Sequence, residues 1–205
     1  MQLMAKLYFN YGAMGSRKSL DLLATAYNFE EKNIPFLTLK PSLDTRDEGV
    51  IKSRAGLERK CTLIPHDVNI YDSIYEYNEI MSEKNDAPLK WILVDECQFL
   101  TEEQVDQLSD IVDYMNINVM CYGLRTDFKS HLFNGSKRLF EIADDIQEIK
   151  SSCSCGHKTS INARFNRNGD IITEGTQILV GGDDIYKPLC RKCWKNKIKE
   201  KMLRN

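Results

Sequence analysis

Four short apolar runs in the first 150 residues of the chain have the length of β-strands. The last two are almost continuous in apolar residues, which is typical of strands that are buried on both faces. The runs are Leu3–Asn10, Phe36–Lys40, Trp91–Val94 and Asn118–Tyr122.

The segments between these runs favour helices. Apolar residues recur at helical spacing over Lys18–Lys32, which ends before Pro35, and again around Ser73–Met81. Thr101–Gln104 has the pattern of a capping box and predicts the start of a helix that runs to about Met115. Because strands that alternate with helices form βαβ units, the sequence predicts an α/β fold with a mostly parallel sheet flanked by helices.

Two regions depart from this alternation. Pro41–Lys60 is polar and charged without periodicity, which favours a mobile loop. After residue 150 the chain is rich in turn formers and has two β-prone runs, Ile171-Ile172 and Ile178–Val180, followed by a basic helical tail at Trp194–Arg204. We therefore expect an α/β domain at 1–150 and a small β-subdomain with a closing helix at 151–205.

Composition narrows the class of protein. A chain of 205 residues with 42% hydrophobic residues can form one domain of ordinary size with a small appendage. The net charge of −2 gives no reason to expect nucleic acid or an acidic membrane as a partner. No long uncharged apolar run indicates a signal peptide or a membrane span. Four of the seven cysteines form two close pairs, which favours a metal site and a cytoplasmic location over disulfides.

Residues Gly12–Ser19 nearly match the phosphate-binding pattern Gly-x-x-x-x-Gly-Lys-[Ser/Thr], between a predicted strand and a predicted helix. In such a loop the backbone N–H groups cradle phosphates, the lysine (here Lys18) reaches the β- and γ-phosphates, and the hydroxyl (here Ser19) binds Mg²⁺. Arg17 stands where the pattern has its second glycine, a position that permits unusual φ values. The sequence predicts a nucleoside triphosphate site with an irregular loop.

Asp95 and Glu96 directly follow the buried strand Trp91–Val94. A carboxylate at the carboxyl end of a parallel strand can hold Mg²⁺ through water, so we assign this role to Asp95. Glu96 is placed to accept a proton from an attacking hydroxyl. The alternative is an ordinary solvated acidic turn. Because the chain also contains the loop at Gly12–Ser19, we favour the functional interpretation over this alternative.

Cys153, Cys155, Cys190 and Cys193 can converge as four thiolates on a tetrahedral Zn²⁺. A site closed by four cysteines leaves no position for substrate, so we predict a structural metal. The alternative is four buried or free cysteines, and His157 is a reserve ligand.

Five motifs follow one another along the chain: Tyr11–Ser19, Lys40–Arg46, Asp95–Phe99, Tyr122–Phe128 and Val180–Tyr186. Together they resemble those of the cytosolic (type II) thymidine kinase family, bacterial type, over roughly residues 5–200. The resemblance implies a phosphate-loop NTPase-like sheet and a zinc-bound β-subdomain whose lasso-like loop, about residues 165–186, closes over the nucleoside. Arg17 replaces the glycine of that family, Cys97 stands where many members have glycine, and the first cysteine pair is one residue shorter than usual.

The same resemblance implies individual roles. Glu96 matches the catalytic base that takes the proton from the 5′-hydroxyl of thymidine, and Asp44 and Arg46 match a motif near the phosphates. The implied ATP-binding residues are Gly12, Ala13, Met14, Gly15, Ser16, Arg17, Lys18, Ser19, Asp95, Glu96 and Gln98. The implied substrate residues are Met14, Asp44, Arg46, Phe99, Leu124, Phe128, Asn162, Leu179, Gly181 and Tyr186.

The implied reaction is transfer of the γ-phosphoryl group of ATP to thymidine, with deoxyuridine as a further candidate acceptor, to give dTMP in nucleotide salvage. Mg²⁺, a structural Zn²⁺, a homotetramer and feedback inhibition by dTTP are implied with it. One alternative is a catalytically weakened nucleotide-binding relative, because of Arg17. Another is a zinc-ribbon ATPase that acts on nucleic acid, which the charge and the lack of a basic aromatic face disfavour.

Overall fold

The computed structural model describes residues 4–43, 49–84, 87–177 and 185–204. Strands and helices alternate over most of this length. In chain order the strands are β1 (Leu7–Tyr11), β2 (Phe36–Pro41), β3 (Val50–Lys52), β4 (Glu58–Lys60), β5 (Thr62–Ile64), β6 (Trp91–Val94), β7 (Asn118–Gly123), β8 (Asp145–Glu148), β9 (Ile161–Phe165), β10 (Ile171–Ile172) and β11 (Ile185–Leu189). The helices are α1 (Lys18–Glu31), α2 (Ile70–Glu83), α3 (Glu102–Met115), α4 (Asn134–Ile142) and α5 (Arg191–Met202).

The largest sheet has six strands in the order β5-β2-β6-β7-β1-β8, and all of its pairings are parallel. The predicted mostly parallel α/β fold is therefore confirmed. Parallel strands need helical crossovers, and these cover both faces of the sheet. None of the helices in the described ranges is long and apolar enough to cross a membrane.

The central strand β6 is apolar along its length because both of its faces are covered. Ile92 and Val94 belong to the core beneath α2, α3 and α4, whereas Leu93 belongs to the core shared with α1. Because side chains alternate along a strand, a strand covered on both faces must be apolar at every position. The capping box is also present, since the Thr101 side chain accepts from Gln104 N and the Gln104 side chain accepts from Thr101 N.

The prediction of a mobile loop over Pro41–Lys60 was wrong in its second half. β3 and β4 pair as an antiparallel hairpin, and Ile51 is fully buried against α1. These strands have three residues each, which is too short for hydrophobic periodicity to identify. Residues 44–48 lie outside the described ranges.

A smaller antiparallel sheet in the order β10-β9-β11 follows the main sheet. Ala163, Phe165 and Ile171 form its core, and α5 packs against it through Trp194 and Ile198. The basic helix was predicted from Trp194 but begins at Arg191. The predicted β-prone run Ile178–Val180 lies outside the described ranges.

The sequence analysis missed α4 and the strands β5, β8, β9 and β11, besides the β3–β4 hairpin. The sequence of β9, Ile161–Phe165, includes an asparagine and an arginine although every residue in it is buried. The first turn of α4 contains Gly135, a weak helix former. A methyl group at Gly135 would lie 2.6 Å from Cys97 O and 2.8 Å from Leu100 O, so only glycine lets α4 approach the turn after β6.

Candidate active site

The loop Gly12–Ser19 joins the carboxyl end of β1 to the start of α1. It is folded tightly on itself, because a methyl group at Gly12 would lie 2.3 Å from Ser16 Oγ and 2.6 Å from Ile149 O. Gly15 has a φ of +73°, which a residue with a Cβ rarely adopts. Both glycines are therefore required by the local geometry.

Arg17 is the cap residue of α1 and has φ 71° and ψ 12°, in the left-handed region. Its carbonyl accepts the first helical hydrogen bond, from Asp21 N at 2.9 Å. The chain thus places an exposed arginine in a backbone conformation for which glycine is the usual residue. The conformation of the loop is kept at the expense of local strain.

Lys18 is buried, with 8% of its surface exposed, and its Nζ donates to Ala13 O at 3.0 Å. Burial lowers the pKa of Lys18, while the charges of Glu96 and Asp95 oppose that shift. The ammonium group therefore lies inside the loop, close to the two carboxylates that follow β6.

Asp95 and Ser19 meet directly, because Ser19 Oγ donates to Asp95 Oδ2 at 2.9 Å. Burial, followed by the neighbouring charge of Glu96, raises the pKa of Asp95 to about 7. Its other oxygen, Oδ1, is buried and has no hydrogen-bond partner in the part of the chain that the structure describes. The Oγ of Ser16 is also buried, and within the described ranges it has no hydrogen-bond partner.

The carboxylate oxygens of Asp95 and the hydroxyl of Ser19 fit a hard divalent cation such as Mg²⁺. This metal prefers carboxylate and hydroxyl ligands and keeps several waters. A buried carboxylate oxygen without a partner is costly unless a ligand or water satisfies it. The donor set at Ser19 and Asp95 is therefore compatible with the metal that the sequence analysis placed there.

Glu96 begins the short 3₁₀-helix Cys97–Phe99 and itself has left-handed φ and ψ angles of 51° and 36°. Gln98 Nε2 donates to Glu96 Oε2 at 2.6 Å, and Gln98 Oε1 accepts from Leu124 N at 2.9 Å. Gln98, which was predicted among the ATP-binding residues, thus connects the carboxylate of Glu96 to the segment after β7. No sequence motif indicated this link, because Gln98 and Leu124 are far apart along the chain.

Cys97 fills the space under this turn and is fully buried. Burial, with further contributions from Cys121, raises its pKa well above the ordinary value, so the thiol stays protonated and unreactive. A methyl group at Gly123 would lie 2.5 Å from Cys97 Sγ, which leaves no room for a side chain at that end of β7.

Asn162 connects the smaller sheet to the loop. Its Oδ1 accepts from Met14 N at 2.8 Å, and its Nδ2 donates to Thr126 O at 3.0 Å. Asn162 is buried, so both ends of its amide are satisfied where β9 meets the main sheet. The sequence analysis placed Met14 and Asn162 in one pocket, and the structure brings them into direct contact.

Three of the predicted substrate residues are the aromatic residues Phe99, Phe128 and Tyr186. Phe128 is buried under the guanidinium of Arg164, whose Cζ lies 5.0 Å from the ring centroid. Phe99 packs edge-on against Phe133 at 5.8 Å, and Tyr186 of β11 pairs with Arg164 in the strand register. The sequence had indicated neither Arg164 nor Phe133. Of the predicted substrate residues, Asp44, Arg46, Leu179 and Gly181 lie outside the described ranges.

The four cysteines of the predicted metal site converge. The Sγ atoms of Cys153, Cys155, Cys190 and Cys193 all lie within 4.8 Å of one another. Backbone N–H groups of Cys155 and Cys190 lower the pKa of Cys153 to about 6, which favours the thiolate that binds metals. The Nδ1 of His157 lies 3.5 Å from Cys155 Sγ, outside the set of four. The cluster could hold one metal ion, and its closed set of ligands suits a structural role.

Comparison with known proteins assigns the chain to a family. A family model described as thymidine kinase matches residues 5–194. The thymidine kinase of Mannheimia succiniciproducens is 44% identical over 195 residues, which cover 95% of this chain and 97% of that protein. The thymidine kinase of Enterobacteria phage T4 is 44% identical over 200 residues, which cover 97% of this chain and 100% of that protein. The chain belongs to the thymidine kinase family.

The thymidine kinase family is a family of phosphotransferases, and the matched range contains the whole arrangement described above. Residues 5–194 include the loop at Gly12–Ser19, the pair Asp95-Glu96 and all four clustered cysteines. The thymidine kinase of Haemophilus influenzae is 43% identical over 195 residues, which cover 95% of this chain and 98% of that protein. The family assignment made from the motifs is thus confirmed.

The strain at Arg17 predicts a gain in stability for the Arg17→Gly variant. Glycine removes the steric cost of the left-handed conformation, which exceeds the extra entropy of the unfolded chain, so the free energy of unfolding should rise by about 1 kcal/mol. Urea unfolding measures this difference. Arg17→Ala is the matched control, because it removes the same charge but keeps the Cβ; an equal gain in both variants would show that charge rather than backbone strain is responsible.

The raised pKa of Asp95 predicts a pH-dependent effect of Asp95→Asn. Because the pKa is raised from 3.8 to about 7, the folded chain holds this proton more tightly than the unfolded chain, and the wild type loses stability as the pH rises through that window. Asparagine cannot ionise. In metal-free urea unfolding at about pH 8 the variant should be more stable than the wild type by roughly 2–4 kcal/mol, at about 1.4 kcal/mol per pH unit.

At about pH 4 that advantage should fall below about 1 kcal/mol, since Asp95 is then protonated in the folded chain and roughly half protonated in the unfolded chain. The exposed Asp113→Asn change is the matched control for loss of a carboxylate. An advantage of the same size at both pH values would contradict the assignment of the stability change to ionised Asp95.

Proposed function

We propose that this chain is an ATP-dependent thymidine kinase that transfers the γ-phosphoryl group of ATP to the 5′-hydroxyl of thymidine and yields dTMP for nucleotide salvage. Deoxyuridine is a further candidate acceptor. One observation carries the proposal: the hydrogen bond from Ser19 to Asp95 joins the Gly12–Ser19 loop to the acidic pair after β6. This contact joins the proposed phosphate-binding segment to Asp95, and the next residue, Glu96, is the proposed base, within a chain of the thymidine kinase family.

Phosphoryl transfer depends on positioning and on stabilisation of charge more than on covalent chemistry by the protein. In the proposed site the backbone N–H groups of Gly12–Ser19 and the buried ammonium of Lys18 hold the ATP phosphates. Ser19 and Asp95 would hold Mg²⁺, which would neutralise charge on the phosphates. Asp44 and Arg46 are proposed to stabilise charge on the transferred group.

Glu96 is the proposed base for the 5′-hydroxyl. The hydrogen bond from Gln98 Nε2 fixes one oxygen of its carboxylate, and Leu124 N holds Gln98 in turn. A base must be held within hydrogen-bond reach of the proton that it accepts. As the oxygen of the acceptor bonds to the γ-phosphorus, the bond from that phosphorus to the β–γ bridging oxygen breaks and ADP leaves. The proton taken from the acceptor remains on Glu96 until it passes to solvent.

The nucleoside is proposed to bind where β9 meets the Gly12–Ser19 loop. Met14 and Asn162 are already in contact there, and Phe128 is held beneath Arg164. Phe99, Leu124 and Tyr186 are proposed to complete the pocket. The closing loop, with Leu179 and Gly181, would bind the base through main-chain groups.

The four-cysteine cluster is proposed to hold Zn²⁺. Cys153 and Cys155 precede β9, whereas Cys190 and Cys193 follow β11, and these two strands are paired. One metal ion would therefore fix both ends of the β9–β11 pair that carries Asn162 and Tyr186. A homotetramer, inhibition by dTTP and a cytoplasmic location are proposed from the resemblance; the thiol cluster, which a reducing compartment would preserve, supports the location.

The test of the proposed reaction is phosphorylation of labelled thymidine by the wild-type chain with Mg-ATP, beside Glu96→Gln. Loss of the base should lower kcat by about 10²–10⁴-fold, since general base catalysis contributes that much. The affinity for ATP should change by less than about threefold, because glutamine keeps the size and hydrogen-bonding capacity of the side chain. Glu103→Gln, an exposed change in the first turn of α3, is the matched control and should keep normal turnover.

Equal kcat in Glu96→Gln and the wild type would remove Glu96 from the mechanism. Arg17→Gly belongs in the same assay, and both it and the wild type should be active. An inert wild type beside an active Arg17→Gly variant would overturn the kinase proposal for this sequence.

Removal of the cluster metal tests its proposed role in thymidine binding. The chain is treated with EDTA, dialysed, and assayed in excess Mg²⁺ with and without added Zn²⁺. Since the metal would order the strands that carry Asn162 and Tyr186, the KM for thymidine should rise by about tenfold, the cost of ordering one or two side chains. Circular dichroism should still report the folded main sheet, and simultaneous loss of the sheet would contradict a local role.

A further inference from the structure

The β3–β4 hairpin presents one arginine at its tip. The turn is closed by Ser53 N donating to Leu57 O at 2.9 Å and Gly56 N donating to Ser53 O at 3.1 Å, with Gly56 at a φ of +86°. A turn followed by a left-handed glycine is a common and well-defined hairpin connection. Arg54 is the residue directly after Ser53, so its backbone position is fixed.

The hairpin is itself fixed to the main sheet. Ile51 is fully buried in the core shared with α1, and Thr38 Oγ1 of β2 donates to Lys60 O at 3.0 Å. Arg59 pairs with Glu30 of α1, its Nη1 donating to Glu30 Oε1 at 2.8 Å. The tip of the hairpin is therefore held at a constant position relative to the helix that the Gly12–Ser19 loop precedes.

Arg54 lies against that loop. A methyl group at Gly15 would be 3.3 Å from Nη1 of Arg54 and 3.9 Å from its Cζ. Within the described ranges the exposed side chain of Arg54 makes no hydrogen bond and no ion pair. Burial is the main cause of the lowered pKa of Lys18, and the charge of Arg54 lowers it further, which places the two cations near each other.

We propose that Arg54 contacts the terminal phosphate of the nucleoside triphosphate bound in the Gly12–Ser19 loop; this inference rests on the proposed function. A guanidinium group binds phosphate oxygens with two parallel hydrogen bonds and stays charged at any working pH. Among the residues that the structure describes, no carboxylate pairs with Arg54. A cation held by a rigid hairpin beside a second cation suits a polyanionic ligand. The lysine of such a loop reaches the β- and γ-phosphates, and Arg54 shares that region with Lys18.

The test compares the affinities of Arg54→Ala, Arg54→Lys and the wild type for ATP and for ADP, measured by titration calorimetry without thymidine. Loss of a charged hydrogen bond should weaken ATP binding by about tenfold in Arg54→Ala. ADP binding should change by less than about threefold, since the terminal phosphate is absent. Arg54→Lys should fall between, because it keeps the charge but not the paired hydrogen bonds.

Lys60→Ala is the matched control, because it removes a positive charge from the same hairpin at a residue that lines the groove between β2 and β4. It should bind both nucleotides as the wild type does. Unchanged ATP affinity in Arg54→Ala, or equal losses for ATP and ADP, would overturn the inference while thymidine phosphorylation by the wild type still upheld the proposed function. A wild type that bound no ATP would overturn both.

Discussion

The hydrogen bond between Ser19 and Asp95 is the contact through which the two halves of the candidate site are joined. Ser19 belongs to the first turn of α1 and Asp95 follows β6, so the bond exists only when β1 and β6 lie in one sheet with parallel order. It places a buried carboxylate beside Glu96, and burial raises the pKa of Asp95 to about 7. A carboxylate in this environment weakens the fold at neutral pH. A cation bound beside Asp95 would offset this cost, and this would explain why the chain has a carboxylate there.

The other part of the site depends on close packing where β6 and β7 end. Gly123 and Gly135 leave just enough room for the turn Cys97–Phe99, since a methyl group at either would lie within 2.6 Å of an atom of Cys97. With the turn in this position, Gln98 forms hydrogen bonds with both Glu96 and Leu124. The orientation of the proposed base is therefore set by packing at the end of β7, next to the loop that is proposed to bind the phosphates, since Gly12 N donates to Gly123 O at 3.2 Å.

Local signals in the sequence predicted what local physics determines. The apolar run of β6, the capping box at Thr101 and the spacing of the cysteine pairs can each be identified from a few neighbouring residues. The short hairpin β3–β4 and the bridge made by Gln98 could not be identified in this way. The strands of the hairpin have only three residues each, and the bridge depends on Leu124, which is distant from Gln98 in the chain. A buried strand such as β9, with asparagine and arginine in it, has no distinct hydrophobic pattern.

Arg17 and Gly15 occupy two positions of one loop that differ in how strictly they require glycine. Both have left-handed backbone angles, and Gly15 also lies against the side chain of Arg54. A Cβ at position 15 would lie 3.3 Å from Arg54 Nη1, so the arginine would have to shift slightly, whereas the side chain at position 17 is exposed. Position 15 therefore adds a close contact to the backbone strain that both positions have. The shape of the loop follows from the backbone, and a phosphate site that binds through main-chain N–H groups depends on that shape more than on the residue at position 17.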